Sequence, residues 1–118
     1  MKTWGDWSDY EVNKAAVKFL EINFEDMSDF CHEPYLFNED SQREFNLCKS
    51  WADMGPIIGD RKISLHWDWE VMNECSAIVS TYVMRSLGLR QITHEYTSKN
   101  PLRAAAIVFL MMNGVNPE

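Results

Sequence analysis

The chain has 118 residues, of which 46% are hydrophobic, and a formal net charge of −7. That length fits one domain, 1–118, around one apolar core, because domains cluster near about 100–150 residues, and 5 Trp and 6 Phe supply large side chains to fill it. The acidity is gathered in residues 1–60, where 13 acidic side chains face 5 basic ones, and no run of Lys and Arg offers phosphates a basic footprint, so direct nucleic-acid binding is not expected.

The first element is announced by Ser8, whose hydroxyl can cap the amide of Glu11 while Glu11 reaches back, with Trp7 and Val12 as a hydrophobic staple. A helix is predicted from Asp9, and Val12, Ala15, Ala16, Phe19 and Leu20 form its apolar stripe. From Glu21 to Glu44, eight acidic residues stand against Arg43 alone, mixed with Phe24, Phe30, Tyr35 and Phe37. Neither a period of two nor one of 3.6 emerges, so this stretch is expected to be irregular, turning at Pro34 and Asn38.

Ser50 can cap a short helix through Trp51, Ala52 and Asp53, which Gly55-Pro56 is expected to stop or bend. Lys62 to Glu70 alternates strictly, placing Ile63, Leu65, Trp67 and Trp69 on one face, and is the clearest strand. Its tryptophans read as core, and His66 belongs to the opposite, solvated face. Val71 to Leu87 fits either periodicity, but Ile78 to Val83 is rich in β-forming residue types. A strand is expected there, turning at Gly88 and pairing with Leu89 to Thr97. Asn100-Pro101 then starts a last helix, Leu102 to Met112, closed by Gly114. This helix is apolar all round apart from Arg103 and should lie at the centre of the core. The expected class is α+β: an N-terminal helix, a short central helix, a small antiparallel sheet and a buried C-terminal helix.

Three segments, in their order and spacing, resemble the NinX-like family of tailed-phage accessory proteins. They are Ser8 to Lys14, Phe45 to Leu65 (FNLCKSWADMGPIIGDRKISL) and Lys99 to Met112 (KNPLRAAAIVFLMM). The resemblance implies a small phage or prophage accessory protein and carries over no active-site residues. The acidic stretch and the segment Trp69 to Tyr96 lie outside these blocks, and specialised function is expected in them.

Acidic side chains interspersed with aromatics can bind a basic protein surface or imitate nucleic-acid phosphates. Glu25, Asp26, Asp29, Glu33, Glu39 and Asp40 are therefore the candidate partner-binding residues. The expected partner is a host protein with a basic surface, such as a defence or nucleic-acid-processing factor, which the protein modulates without catalysis. Three cysteines leave one unpaired under any single disulfide, and no secretory pattern opens the sequence, so the host cytoplasm is the expected compartment. The longest apolar run, Ala104 to Met112, is far below the ~20 residues of a membrane-spanning helix.

A competing reading is a small enzyme or nucleotide-ligand-binding protein. It would use Cys48, near a helix start that lowers thiol pKa, or His66, or the Asn100–Arg103 helix start, where Arg103, Lys99 and open amides could hold an anion. The alternative for Arg103 is an ion pair within the chain, with Asp53 or Asp60 as candidate partners. Cys31, His32, Cys48, His66 and Cys75 are zinc-ligand types, but their spacing lacks the close pairs of structural zinc sites. No metal and no cofactor are expected.

Overall fold

The structure, a computed structural model, describes residues 2–27, 33–67, 74–86 and 88–118, without the side chains of residues 81–85. Its elements are a 3₁₀ turn at Trp4–Asp6, helix α1 (Asp9–Val17), strands β1 (Phe24–Asp26), β2 (Leu36–Asn38) and β3 (Arg43–Phe45), helix α2 (Trp51–Arg61), strands β4 (Ser64–Trp67), β5 (Cys75–Arg85) and β6 (Gly88–Ser98), and helix α3 (Pro101–Met112). The arrangement is α+β, with two three-stranded antiparallel sheets, β1-β2-β3 and β4-β5-β6.

Helix α3 is the centre. Leu102 and every residue from Ala104 to Leu110 are buried, and α3 touches β5 and β6 as well as α1 and α2. Each fully buried Leu, Ile or Phe of this kind contributes about 1.5–3 kcal/mol. Both ends of α3 are closed locally. Asn100 Oδ1 accepts from the amides of Leu102 (3.0 Å) and Arg103 (3.3 Å). At the other end Gly114, at φ 80°, lets the amide of Val115 return to the Leu110 carbonyl and its own amide to that of Met111. These are the two bonds of a Schellman motif, which a residue with a Cβ closes only with strain.

Helix α1 starts where its cap predicts, with Ser8 and Glu11 bonded in both directions. It stops at Val17, so Phe19 falls beyond it, 38% exposed but edge-on to Phe109 at 6.4 Å between ring centroids.

Four expectations need correction. The acidic stretch is not irregular: β1, β2 and β3 form a short meander, held by Leu36 and Phe45 in the core and by Asn38, whose side-chain oxygen accepts from the amides of Asp40 (2.9 Å) and Ser41 (3.2 Å) in the turn. Strands of three residues are too short to display a period. Consequently there are two small sheets where one was expected.

Helix α2 does not stop at Gly55-Pro56 but runs to Arg61. Pro56 can donate no amide to the carbonyl of Ala52, yet both residues are exposed, so water can serve that carbonyl, while Met54 and Ile57 anchor the opposite side in the core. The helix ends at Lys62, in the left-handed region at φ 59°, and β4 therefore begins at Ser64 and not at Lys62. Finally, Trp67 is 52% exposed. It lies opposite buried Cys75 and so faces the core side, as alternation requires, but at the end of a short edge strand. Alternation sets the face and not the depth. Trp69 lies outside the described residues.

The reading of residues 75–98 as a strand pair holds. Their register is unbroken from Cys75↔Ser98 to Arg85↔Gly88, and Gly88, at φ 115°, opens β6.

Candidate partner-binding face

Backbone register assembles this site. Across the first sheet, Glu25 in β1 lies opposite Phe37 in β2, which lies opposite Glu44 in β3. The alternate row, Asp26, Leu36 and Phe45, turns toward the core, where Leu36 and Phe45 are buried. The outward row therefore reads carboxylate, aromatic ring, carboxylate. Glu25 and Glu44 are exposed and Phe37 is half-buried. With strands about 4.8 Å apart, the two glutamates flank the ring about 10 Å from each other.

Two nearby cations are committed elsewhere. Arg43 Nη2 sits 2.9 Å from Asp53 Oδ1, and Lys14 Nζ sits 3.3 Å from Asp26 Oδ2. The Lys14 ammonium is pushed above its ordinary value, first by its hydrogen bond with Tyr10 and then by the Asp26 carboxylate. Glu44 also borders a surface cleft of about 360 Å³, with Asp9, Tyr10, Glu33, Tyr35 and Lys49 among its walls.

The six residues singled out in the sequence separate into distinct environments. Glu25 is on the outward row, Glu33 is exposed in the cleft wall, and Glu39 is exposed in the β2–β3 turn. Asp26 is turned against α1, accepting from the Tyr10 hydroxyl at 2.8 and 2.7 Å. Asp40 pins the residue preceding β1 by accepting from the amide and side chain of Asn23, at 3.3 and 3.1 Å. Asp29 lies outside the described residues. Glu44 and Phe37 complete the row, and sequence reasoning did not single them out. They stand 19 and 12 positions from Glu25 along the chain, and only pairing brings the three together.

Cys48, His66 and Asn100, the residues of the competing reading, differ in their surroundings. Cys48 is 1% exposed, and burial, reinforced by the Asp9 carboxylate against the opposing pull of Arg103, pushes its thiol up to about 12. The expected lowering by a helix start is thus reversed, because the thiol is in the core and not before the amides of α2. His66 is exposed on β4, opposite Ser76. Asn100 fills the amides of its own helix and donates its Nδ2 to the Cys48 carbonyl at 2.6 Å.

Arg103 makes an ion pair within the chain, though not with Asp53 or Asp60. Its Nη1 lies 2.7 Å from Asp9 Oδ1, and its Nη2 donates to the carbonyls of Trp4 and Trp7. Asp53 instead receives Arg43 and the amide of Asn46. Cys31 and His32 lie outside the described residues. Among the described residues no group of three or more His, Cys, Asp and Glu is placed to hold a metal ion, and no helix is long and apolar enough to cross a membrane.

Residues 6–113 match a family model described as Bacteriophage P22, NinX, extending the similarity well beyond the three blocks that first suggested it. No curated protein matches the chain.

Proposed function

The chain belongs to the NinX family of bacteriophage P22, and on that premise we propose that it is a phage accessory protein that binds and inhibits a basic host protein in the host cytoplasm, without catalysis. The observation that carries this reading is the outward row Glu25–Phe37–Glu44. A partner arginine laid over Phe37 would gain a cation–π contact while its guanidinium reaches a flanking carboxylate, a combination that favours Arg over Lys. Exposed Glu39 in the adjoining turn extends the negative field, which steers a basic surface toward the sheet. A defence or nucleic-acid-processing factor fits as partner, since proteins that grip phosphates carry such surfaces.

The test is affinity capture of the tagged protein from phage-infected host lysate, at low and raised salt, beside the double variant Glu25→Lys/Glu44→Lys. A stoichiometric host protein, lost with the double variant and weakened by salt, supports the reading. Recovery of the same protein by the variant removes this face from the account, and absence of any partner under every condition overturns the proposal.

A further inference from the structure

Strand β6 is an outer strand of its sheet, paired with β5 on one side and with no strand on the other among the described residues. An open edge of 11 residues carries a row of amides and carbonyls ready to accept another strand.

The register identifies which residues supply that row. Arg85↔Gly88 closes the hairpin with only residues 86 and 87 between the strands, so that pair must be a hydrogen-bonded one, and such pairs recur at every second position. Gly88, Arg90, Ile92, His94, Tyr96 and Ser98 thus direct their backbone groups to β5. Two side-chain contacts confirm the phase independently. Ser76 and Thr97 hydroxyls lie 2.7 Å apart, and those of Ser80 and Thr93 lie 3.1 Å apart. Such short contacts belong to the non-hydrogen-bonded pairs, where facing side chains come closest. Leu89, Gln91, Thr93, Glu95 and Thr97 therefore aim their amides and carbonyls at the open edge.

We propose that β6 pairs antiparallel with β6 of a second copy about a two-fold axis through Thr93, joining two three-stranded sheets into one of six strands. An edge-to-edge dimer places its axis perpendicular to the sheet, so each side chain keeps its face and outward-directed residues must meet one another. Centring on Thr93, the midpoint of β6, pairs the strand along its whole length, with Thr93 opposite Thr93, Gln91 opposite Glu95 and Leu89 opposite Thr97. Between these, Arg90 meets Tyr96 and Ile92 meets His94. The pairing matches a donor or cation to an acceptor or ring at each polar position: the Gln91 amide donates to the Glu95 carboxylate, the Arg90 guanidinium faces the Tyr96 ring, each contact occurs twice, and no like charges are opposed. Sliding by one step to centre on Ile92 shortens the overlap and sets Arg90 against His94 and Leu89 against Glu95. Leu89, 71% exposed in the single chain, becomes covered at both ends of the joint.

The test is sedimentation velocity over a range of protein concentrations, with three variants. The wild-type chain is expected to show a monomer–dimer equilibrium. Gln91→Glu sets a carboxylate opposite Glu95 twice and should weaken dimerisation about tenfold, whereas Gln91→Lys creates two ion pairs and should strengthen it. Thr93→Pro deletes the central outward amide while leaving every β5–β6 backbone bond in place, losing only the hydroxyl contact with Ser80, and should give a monomer with an unchanged far-ultraviolet spectrum. A wild-type chain that stays monomeric at several hundred micromolar overturns the proposal, as does a dimer whose affinity ignores the two substitutions at Gln91.

Discussion

Arg103, in the first turn of α3, and Asp9, in the first turn of α1, are joined at 2.7 Å although 94 positions separate them. The same guanidinium holds the carbonyls of Trp4 and Trp7, so one side chain ties the N-terminal turn and α1 to the central helix. Its side chain is only 16% exposed and that of Asp9 33%. Arg103→Met should destabilise the chain by about 3 kcal/mol in urea unfolding, because a partly buried carboxylate and two carbonyls lose a charged donor. Arg103→Lys should recover only part of that loss, since an ammonium cannot span all three acceptors from one planar fork.

Cys48 makes stability depend on alkaline pH. Its thiol sits at about 12 in the folded chain against an ordinary value of 9.0. Below pH 9 it is protonated in both states and its contribution is fully present. Between pH 9 and 12 the unfolded chain releases the proton and the folded chain does not, so stability falls by about 1 kcal/mol per pH unit from this group. Urea unfolding at pH 7 and pH 10 should show Cys48→Ala losing about 1 kcal/mol less than wild type over that interval. In native buffer at pH 8, a thiol reagent should leave Cys48 unmodified, and denaturant should release it.

Asn13 is 3% exposed and performs two tasks. Its carbonyl oxygen accepts the buried amide of Leu47 at 2.9 Å, and its Nδ2 donates to Asn46 Oδ1 at 3.1 Å. Asn46 Oδ1 in turn accepts the amide of Cys48 at 3.0 Å. Asn13→Leu would leave the Leu47 amide without its acceptor in an apolar site, at a cost of about 2–3 kcal/mol. A matching fall in thermal midpoint, together with faster hydrogen exchange at Leu47, would locate the damage in the β3–α2 connection.

Pro56 is exposed within α2 and supplies no amide to the helix. Pro56→Ala should stabilise the protein by about 1 kcal/mol: the helix gains a bond and a better helix former, and this outweighs the freedom returned to the unfolded chain. Equal or lower stability of the variant in urea would mean that Pro56 contributes packing that its exposure does not suggest.

Local chemistry was legible wherever one residue acts on its immediate neighbours. Ser8 with Glu11, Ser50, and Asn100-Pro101 with Gly114 announced the helix ends because a cap needs only an oxygen or a left-handed residue within four positions. Alternation through Leu65 and Trp67 gave the strand and the correct face, and the apolar run of α3 gave the centre of the core. What pairing and packing decide over a distance was not legible. The strands of the acidic sheet are each three residues long and form because Leu36 and Phe45 find the core, an event no local period records. The same pairing, not the abundance of carboxylates, selects Glu25, Phe37 and Glu44 for one face and draws Asp26 and Asp40 into the framework. Burial, too, was decided only by tertiary packing. Trp67 is half outside because no described residue covers the end of an edge strand, and Cys48 is shut off from solvent because the chain closed over it.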